Sequence, residues 1–193
     1  MRIGVLGGSF NPPHVGHLLI ASDAFEALEL DKLIIMPAAA NPLKEALAGA
    51  PPASLRLEMV QLTFAGDSRF EVSSMEIERG GLSYTVDTLE SLAAQYEGAE
   101  LVLLLGMDAI RTLDQWKSPD RIRELARLAV LARGAQRTLL PRGIETVTTR
   151  RVDVSSTEIR DRVARGKSIN GFVTDSVEKL ISAAKLYAGH GNA

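Results

Sequence analysis

Ile3-Gly4-Val5-Leu6-Gly7-Gly8-Ser9-Phe10-Asn11-Pro12-Pro13-His14-Val15-Gly16-His17 follows directly on Met1-Arg2. A short apolar run closed by a glycine pair reads as a buried strand, and the apolar stretch from Leu18 reads as a helix. Glycines let a backbone approach a ligand and adopt unusual dihedrals. The helix turns free amide hydrogens and its positive dipole end toward the loop. His14 and His17 are three apart, so in a first helical turn they share one face, and Gly16 leaves no side chain between them. The stretch is neither G-x-x-x-x-G-K-[ST] nor G-x-G-x-x-G, which excludes the two commonest phosphate loops. Two imidazoles at a helix N-terminus nonetheless suit hydrogen-bond donation to phosphate. Two alternatives stand beside that reading: a tight strand–helix turn whose histidines cap or pack, and an H-x-x-H metal site. The second has no sequence-adjacent third ligand, where zinc takes three or four.

Outward from this stretch, short apolar runs alternate with amphipathic ones. Strands are expected at Ile3–Leu6, Leu33–Met36, Phe70–Ser74, Leu101–Leu105, Leu128–Ala132 and around Glu145–Val154. Helices are expected at Leu18–Leu28, Ser54–Phe64, Tyr84–Tyr96, Pro119–Leu125, Ser156–Arg165 and Thr174–Tyr187. Ser118-Pro119 reads as an N-cap with proline at the first helical position, and Ser155 with Glu158 as a capping box. The alternation implies an α/β fold: a Rossmann-like, doubly wound, mostly parallel sheet with helices on both faces. Ligands of such sheets collect beyond the carboxyl ends of the strands, so functional residues should follow strands. Residues 37–53, rich in alanine and proline, read as a surface loop. Residues 1–193 read as one domain, with residues 155–187 a C-terminal helical part.

Composition limits the chemistry. The 193 residues include no cysteine and three histidines, which excludes disulfide frameworks, thiolate metal sites and cysteine nucleophiles. At 46% hydrophobic residues the chain can bury a substantial core. The net charge of −2 conceals an asymmetry: residues 1–120 carry 8 basic and 17 acidic side chains, residues 121–167 carry 12 and 5. A basic segment on a mildly acidic chain favours a small anionic ligand over nucleic acid, whose binders carry their excess over the whole domain. No export signal or membrane-length apolar stretch is visible, so a cytoplasmic protein is expected, without membrane or nucleic-acid partners. A homo-oligomer is left open.

Gly8-Ser9-Phe10-Asn11-Pro12-Pro13-His14-Val15-Gly16-His17 resembles the signature of the H-x-G-H nucleotidyltransferase superfamily, more narrowly that of bacterial nicotinate-nucleotide adenylyltransferases. The superfamily's second signature is matched 138 residues after His17 by Ser155-Ser156-Thr157-Glu158-Ile159-Arg160, and the resemblance runs from residue 2 to about Tyr187. It implies adenylyl transfer from ATP to nicotinate mononucleotide, by direct attack of the acceptor phosphate on the α-phosphorus. His14, His17 and Arg160 would be catalytic. Gly8, Ser9, Phe10, Gly106, Asp108, Ser155, Ser156 and Thr157 would join them in binding ATP. Ser83-Tyr84-Thr85-Val86-Asp87-Thr88-Leu89 and Gly106-Met107-Asp108…Leu113…Trp116 match two further family segments. The resemblance assigns nicotinate mononucleotide to Thr85 and Trp116 in these segments, to Asn41 and Lys44 in the loop after the second strand, and to Arg133 at the end of the fifth. Magnesium would be the cofactor, carried mainly by ATP phosphates, with no dedicated protein ligands. One departure stands out: Leu43 occupies the position where the family often has histidine before the lysine.

Three other activities bear weighing. A nicotinamide mononucleotide enzyme differs by as little as one hydrogen bond. Phosphopantetheine adenylyltransferases tend to have threonine for the first histidine and lack the Ser-Tyr-Thr-x-Asp-Thr-Leu and tryptophan segments. A catalytically silent nucleotide sensor is the third.

Overall fold

The computed structural model describes residues 1–43, 50–133 and 144–189, with Arg133 described in its backbone alone. Six strands form one parallel sheet: β1 (Arg2–Gly8), β2 (Lys32–Pro37), β3 (Phe70–Val72), β4 (Glu100–Gly106), β5 (Arg127–Arg133) and β6 (Glu145–Thr149). Their order, β3-β2-β1-β4-β5-β6, puts the first strand in the middle. The winding runs outward from β1 to β3, then returns to β4 on the other side of β1. That reversal makes the carboxyl ends of β1 and β4 the switch point at which a doubly wound sheet opens a crevice.

Helices α1 (Val15–Ala27) and α2 (Ala53–Phe64) follow β1 and β2, and α3 (Met75–Arg79) and α4 (Thr85–Gln95) follow β3. After β4 come α5 (Met107–Thr112), the 3-10 turn Leu113–Gln115 and α6 (Pro119–Leu125); α7 (Ser156–Ala164) and α8 (Asp175–Ala183) follow β6. Alternate residues of each strand feed opposite sheet faces, as the two-residue period requires. Leu6, Leu33, Ile35, Val102 and Leu104 pack with Ala21 and Ala24 of α1 and Val60 and Phe64 of α2. Ile3, Val5, Ile34, Leu103 and Leu105 pack with Leu89 and Leu92 of α4 and Ile122 of α6. A third apolar cluster joins Met59 of α2 to Ile159 of α7, to Ile169 and Val173, and to Val177 and Ile181 of α8.

The expected elements are present with shifted ends. The sixth strand stops at Thr149 rather than running toward Val154. The last helix stops at Ala183, because Lys185 (φ 50°) and Tyr187 (φ 60°) are left-handed and cannot continue it. Pro119 opens α6 as expected, but Ser118 does not cap it. Its backbone is left-handed (φ 52°, ψ 59°), whereas a capping serine is extended. Helices α3 and α5, of five and six residues, were not expected.

Candidate active site at the strand ends

The turn between β1 and α1 is compact. Phe10 takes a left-handed φ of 46° and buries its ring against the position of Gly8, where an added Cβ would stand 3.0 Å from that ring. The Asn11–Pro12 peptide is cis. His14 is the extended N-cap residue of α1 and His17 lies one turn in, so the expected shared face exists. Their ring centroids are 3.8 Å apart, and the Phe10 ring meets His17 edge-on at 5.0 Å. The His14 amide donates to His17 Nδ1 at 3.1 Å. An Nδ1 that accepts leaves the proton of a neutral imidazole on Nε2, so His17 offers an Nε2–H donor. A Cβ on Gly16 would meet His14 Nδ1 at 2.9 Å. Gly16 therefore makes room for the His14 ring itself, a tighter requirement than an open path between the histidines.

The second motif packs onto the first. Ser155 caps α7, its hydroxyl accepting the Glu158 amide at 3.1 Å. The Ser156 hydroxyl donates to Pro12 O at 2.7 Å. Arg160 donates through Nη1 to Asn11 O (2.7 Å) and through Nη2 to Thr157 Oγ1 (3.2 Å). Two helix N-termini, α1 and α7, are thus locked to one loop, and both present amide hydrogens of the kind that bind phosphate. Ser155 and Thr157 are exposed, whereas Ser156 and part of Arg160 are engaged in holding the loop. Gly106 ends β4 beside β1, and an added Cβ there would meet nothing within 4 Å. The Asp108 side chain is fully exposed, with Arg111 3.8 Å away.

The residues expected at the acceptor come from three segments. Asn41 follows β2, and its Oδ1 accepts the Leu43 amide at 2.9 Å. Thr85 is the first residue of α4, so its amide and hydroxyl stand at a helix N-terminus suited to a carboxylate. Trp116 follows the 3-10 turn, half-buried, with its indole N–H on Thr112 Oγ1 at 3.3 Å. Lys117 ties the last two segments together: it pairs with Asp87 of α4 at 2.8 Å and lies 4.8 Å from the Tyr84 ring centroid. Lys44 and the side chain of Arg133 lie outside the described residues.

Three residues that build this site carried no role in the sequence reading. Arg56 of α2 is buried at 8% exposure and donates to Ser9 O and Ala39 O, each at 2.8 Å. Burial pulls its guanidinium below the usual arginine range, and nearby Tyr187 offsets part of that. The Tyr187 hydroxyl donates to Asn11 Oδ1 at 2.7 Å. Burial pushes that hydroxyl well above the ordinary tyrosine range, against the opposing pull of Arg160 and Arg56, so it stays a donor. Ser83 accepts the Ala39 amide on Oγ at 2.9 Å and donates its own amide to Ala40 O at 2.8 Å. A signal for Arg56 was available: it shares the helical spacing of buried Met59, Val60, Thr63 and Phe64, and a cation on an apolar face needs partners. Among the described residues, no cluster of three or more histidines and carboxylates is poised for a metal ion, and no helix is long and apolar enough to cross a membrane.

Hydrogen-bond donors of the α1 and α7 N-termini meet at the switch point of a doubly wound sheet, and similarity to known proteins gives the class. The cytidylyltransferase-like family model matches residues 5–162, and the chain is a nucleotidyltransferase enzyme. A protein of Gemmatimonas aurantiaca, described as a probable nicotinate-nucleotide adenylyltransferase, is 49% identical over 197 residues, spanning 97% of this chain and 92% of its own. A Thermus thermophilus protein of the same description is 43% identical, over 97% of this chain and all of its own. The chain belongs to the nicotinate-nucleotide adenylyltransferase family. In fold it is similar to the Plasmodium falciparum nicotinic acid mononucleotide adenylyltransferase complexed with NaAD, at TM-score 0.79 and 16% identity over 96% of this chain and 97% of that one.

Proposed function

We propose that this enzyme transfers the adenylyl group of ATP to nicotinate mononucleotide, releasing pyrophosphate and forming nicotinate adenine dinucleotide on the way to NAD. The observation that carries this reading is the docking of the α7 N-terminus onto the His14–His17 loop, through Ser156 to Pro12 O and Arg160 to Asn11 O. It concentrates neutral and cationic donors where a triphosphate would lie. Membership of the family supports the acceptor.

In the reaction an acceptor phosphate oxygen bonds to the α-phosphorus of ATP as the bond to the pyrophosphate oxygen breaks. No covalent enzyme intermediate is needed. Catalysis is then alignment plus stabilisation of charge on the phosphate oxygens. His17 Nε2–H and the His14 imidazole donate to those oxygens, and the amides of α1 and α7 add fixed dipoles. Gly8 lets the backbone come close, with Ser9 and Phe10 shaping the loop. Ser155 and Thr157 bring hydroxyls and Ser156 its amide to the β- and γ-phosphates, and Arg160 adds its charge. Gly106 gives the nucleotide room at the end of β4, where Asp108 is free to meet a ribose hydroxyl. Thr85 takes the pyridine carboxylate and Trp116 stacks on the ring, and the acceptor phosphate is assigned to Asn41, Lys44 and Arg133 on the family resemblance. Magnesium would neutralise triphosphate charge as part of the ATP complex. The donor set at the loop suits anions rather than a hard cation, so its ligands would be phosphate and water oxygens. ATP as a substrate favours the cytoplasm as the compartment.

The test is pyrophosphate release from magnesium and ATP with nicotinate mononucleotide, nicotinamide mononucleotide or phosphopantetheine as acceptor. Fastest release is expected with nicotinate mononucleotide. Preference for another acceptor overturns the substrate, and no release with any overturns the enzymatic reading.

A further inference from the structure

The β1–β2 ladder ends where the two substrate halves of the site begin. Its last backbone rung is Ala38 N–H to Gly8 O at 2.9 Å. One step further, Ser9 O and Ala39 O are both acceptors, so no hydrogen bond between them is available to continue the rung. The Arg56 guanidinium bridges this gap. Nη1 donates to Ser9 O and Nη2 to Ala39 O, both at 2.8 Å, so one planar fork holds both loops. Ser9 belongs to the turn that carries His14 and His17. Ala39 leads to Asn41 and is held on its other side by Ser83, which accepts the Ala39 amide and donates to Ala40 O. Ser83 in turn precedes Tyr84 and Thr85 at the start of α4. Among the described residues the buried guanidinium has no carboxylate partner; its charge rests on carbonyl dipoles at the joint.

We infer that Arg56 is a positioning residue that sets the separation and angle between the ATP loop and the acceptor loop, and through them the line of attack. The inference rests on the functional reading above. Arg56 touches neither substrate; it acts through Ser9 and Ala39. A fork with fixed donor directions is what two diverging carbonyls require. Lysine, a single ammonium on a flexible stem, keeps the charge and loses the bridge. The consequence is specific to catalysis of a two-substrate reaction. Each substrate retains its own half-site, while their mutual alignment is lost, and a misplacement of about 1 Å costs roughly 100-fold in rate.

Three variants test this: Arg56→Lys, Arg56→Met and Ser83→Ala. Steady-state kinetics give kcat and KM for each substrate, calorimetric titration gives the dissociation constants of ATP alone and nicotinate mononucleotide alone, and circular dichroism reports folding. Both Arg56 variants should lose about 100-fold in kcat while single-substrate dissociation constants stay within about threefold of wild type. Ser83→Ala, which frees the other side of the Ala39 segment, should show the same split at about tenfold. Full kcat in Arg56→Lys overturns the bridging geometry. A lowered Tm with normal kcat in the folded enzyme shows Arg56 to be structural only and overturns the inference. If neither Arg56 variant folds, Ser83→Ala decides, and near-normal kcat there overturns it. An inactive wild type removes the functional reading and this inference together, whereas an active wild type with unimpaired variants removes the inference alone.

Discussion

The His14 amide donates to His17 Nδ1, which leaves Nε2 as the proton-bearing nitrogen of the neutral ring. His17→Ala deletes that donor from the surface of α1 and leaves the helix core intact. Turnover should fall about 100-fold or more, with an unchanged circular dichroism spectrum, since a preorganised donor to developing charge is worth this much. Near-wild-type turnover would show that the imidazole is packing. Gly16→Ala tests the neighbouring requirement. The new methyl would stand 2.9 Å from His14 Nδ1 and 3.0 Å from Cε1, in a ring already stacked on His17 and only 6% exposed. The ring has nowhere cheap to go, so kcat should fall by about tenfold and Tm should drop, as overpacking predicts. The two histidines could be read from sequence because imidazoles three apart after a glycine pair are rare in plain turns. Arg56 showed only as a cation on the apolar face of α2, and its role did not, because its acceptors are main-chain carbonyls, which every residue type has.

Among the secondary-structure elements, a few polar ties between segments distant in sequence help hold α1 and α7 in register. Asp23, in the middle of α1, accepts the Arg150 amide at 2.8 Å and its guanidinium at 2.6 and 2.9 Å, just past β6 and upstream of α7. Hydrogen bonds from Arg150 hold the Asp23 carboxyl below the ordinary aspartate range. A carboxyl depressed in the folded state stabilises above its unfolded pKa of about 3.9, and that stabilisation is lost as pH falls through the folded value. Asp23→Asn should therefore melt earlier than wild type at neutral pH, and the gap in Tm should close as pH drops below about 4. A gap of constant size across that range would mean the tie acts without its charge. The inner strands β1, β2, β4 and β5 were legible as short apolar runs, and the six helices of seven residues or more by their period. The edge strands β3 and β6 are less apolar, and their ends were placed less well. Helices α3 and α5 were not legible, because one and a half turns carry too few positions to show a period. Ser118 failed as a cap for a related reason: residue type announces a capping tendency, and the left-handed backbone that cancels it is set by the turn.

At the scale of the whole molecule, the C-terminal segment closes back on the N-terminal turn. Its apolar side is shared with α2 through Met59, Ile159, Val177 and Ile181, while Phe172 O accepts the Val15 amide at 2.9 Å. Tyr187, 176 residues from Asn11, then donates its hydroxyl to the Asn11 side chain, whose main-chain oxygen is already held by Arg160. Asn11 is thus clamped from both the α7 and α8 sides, directly ahead of Pro12 and the histidines. The C-terminal motif could be found in the sequence as a capping box. Its meeting with residues 11 and 12 could not, since a contact across the whole chain has no local signature. Tyr187→Phe isolates the clamp, because the ring keeps its packing and only the hydroxyl is lost. Asn11 Oδ1 then loses a part-buried donor, so stability should fall by about 1 kcal/mol, or about 2–4 °C in Tm for a chain of this size. If the clamp also orients the turn, kcat should fall by about tenfold while the dissociation constant for ATP alone barely moves. Denaturant melts and steady-state kinetics on the same preparation separate the two effects. A lower Tm with unchanged kcat would confine Tyr187 to stability and leave the orientation of the histidine turn to Arg160, Ser156 and Arg56.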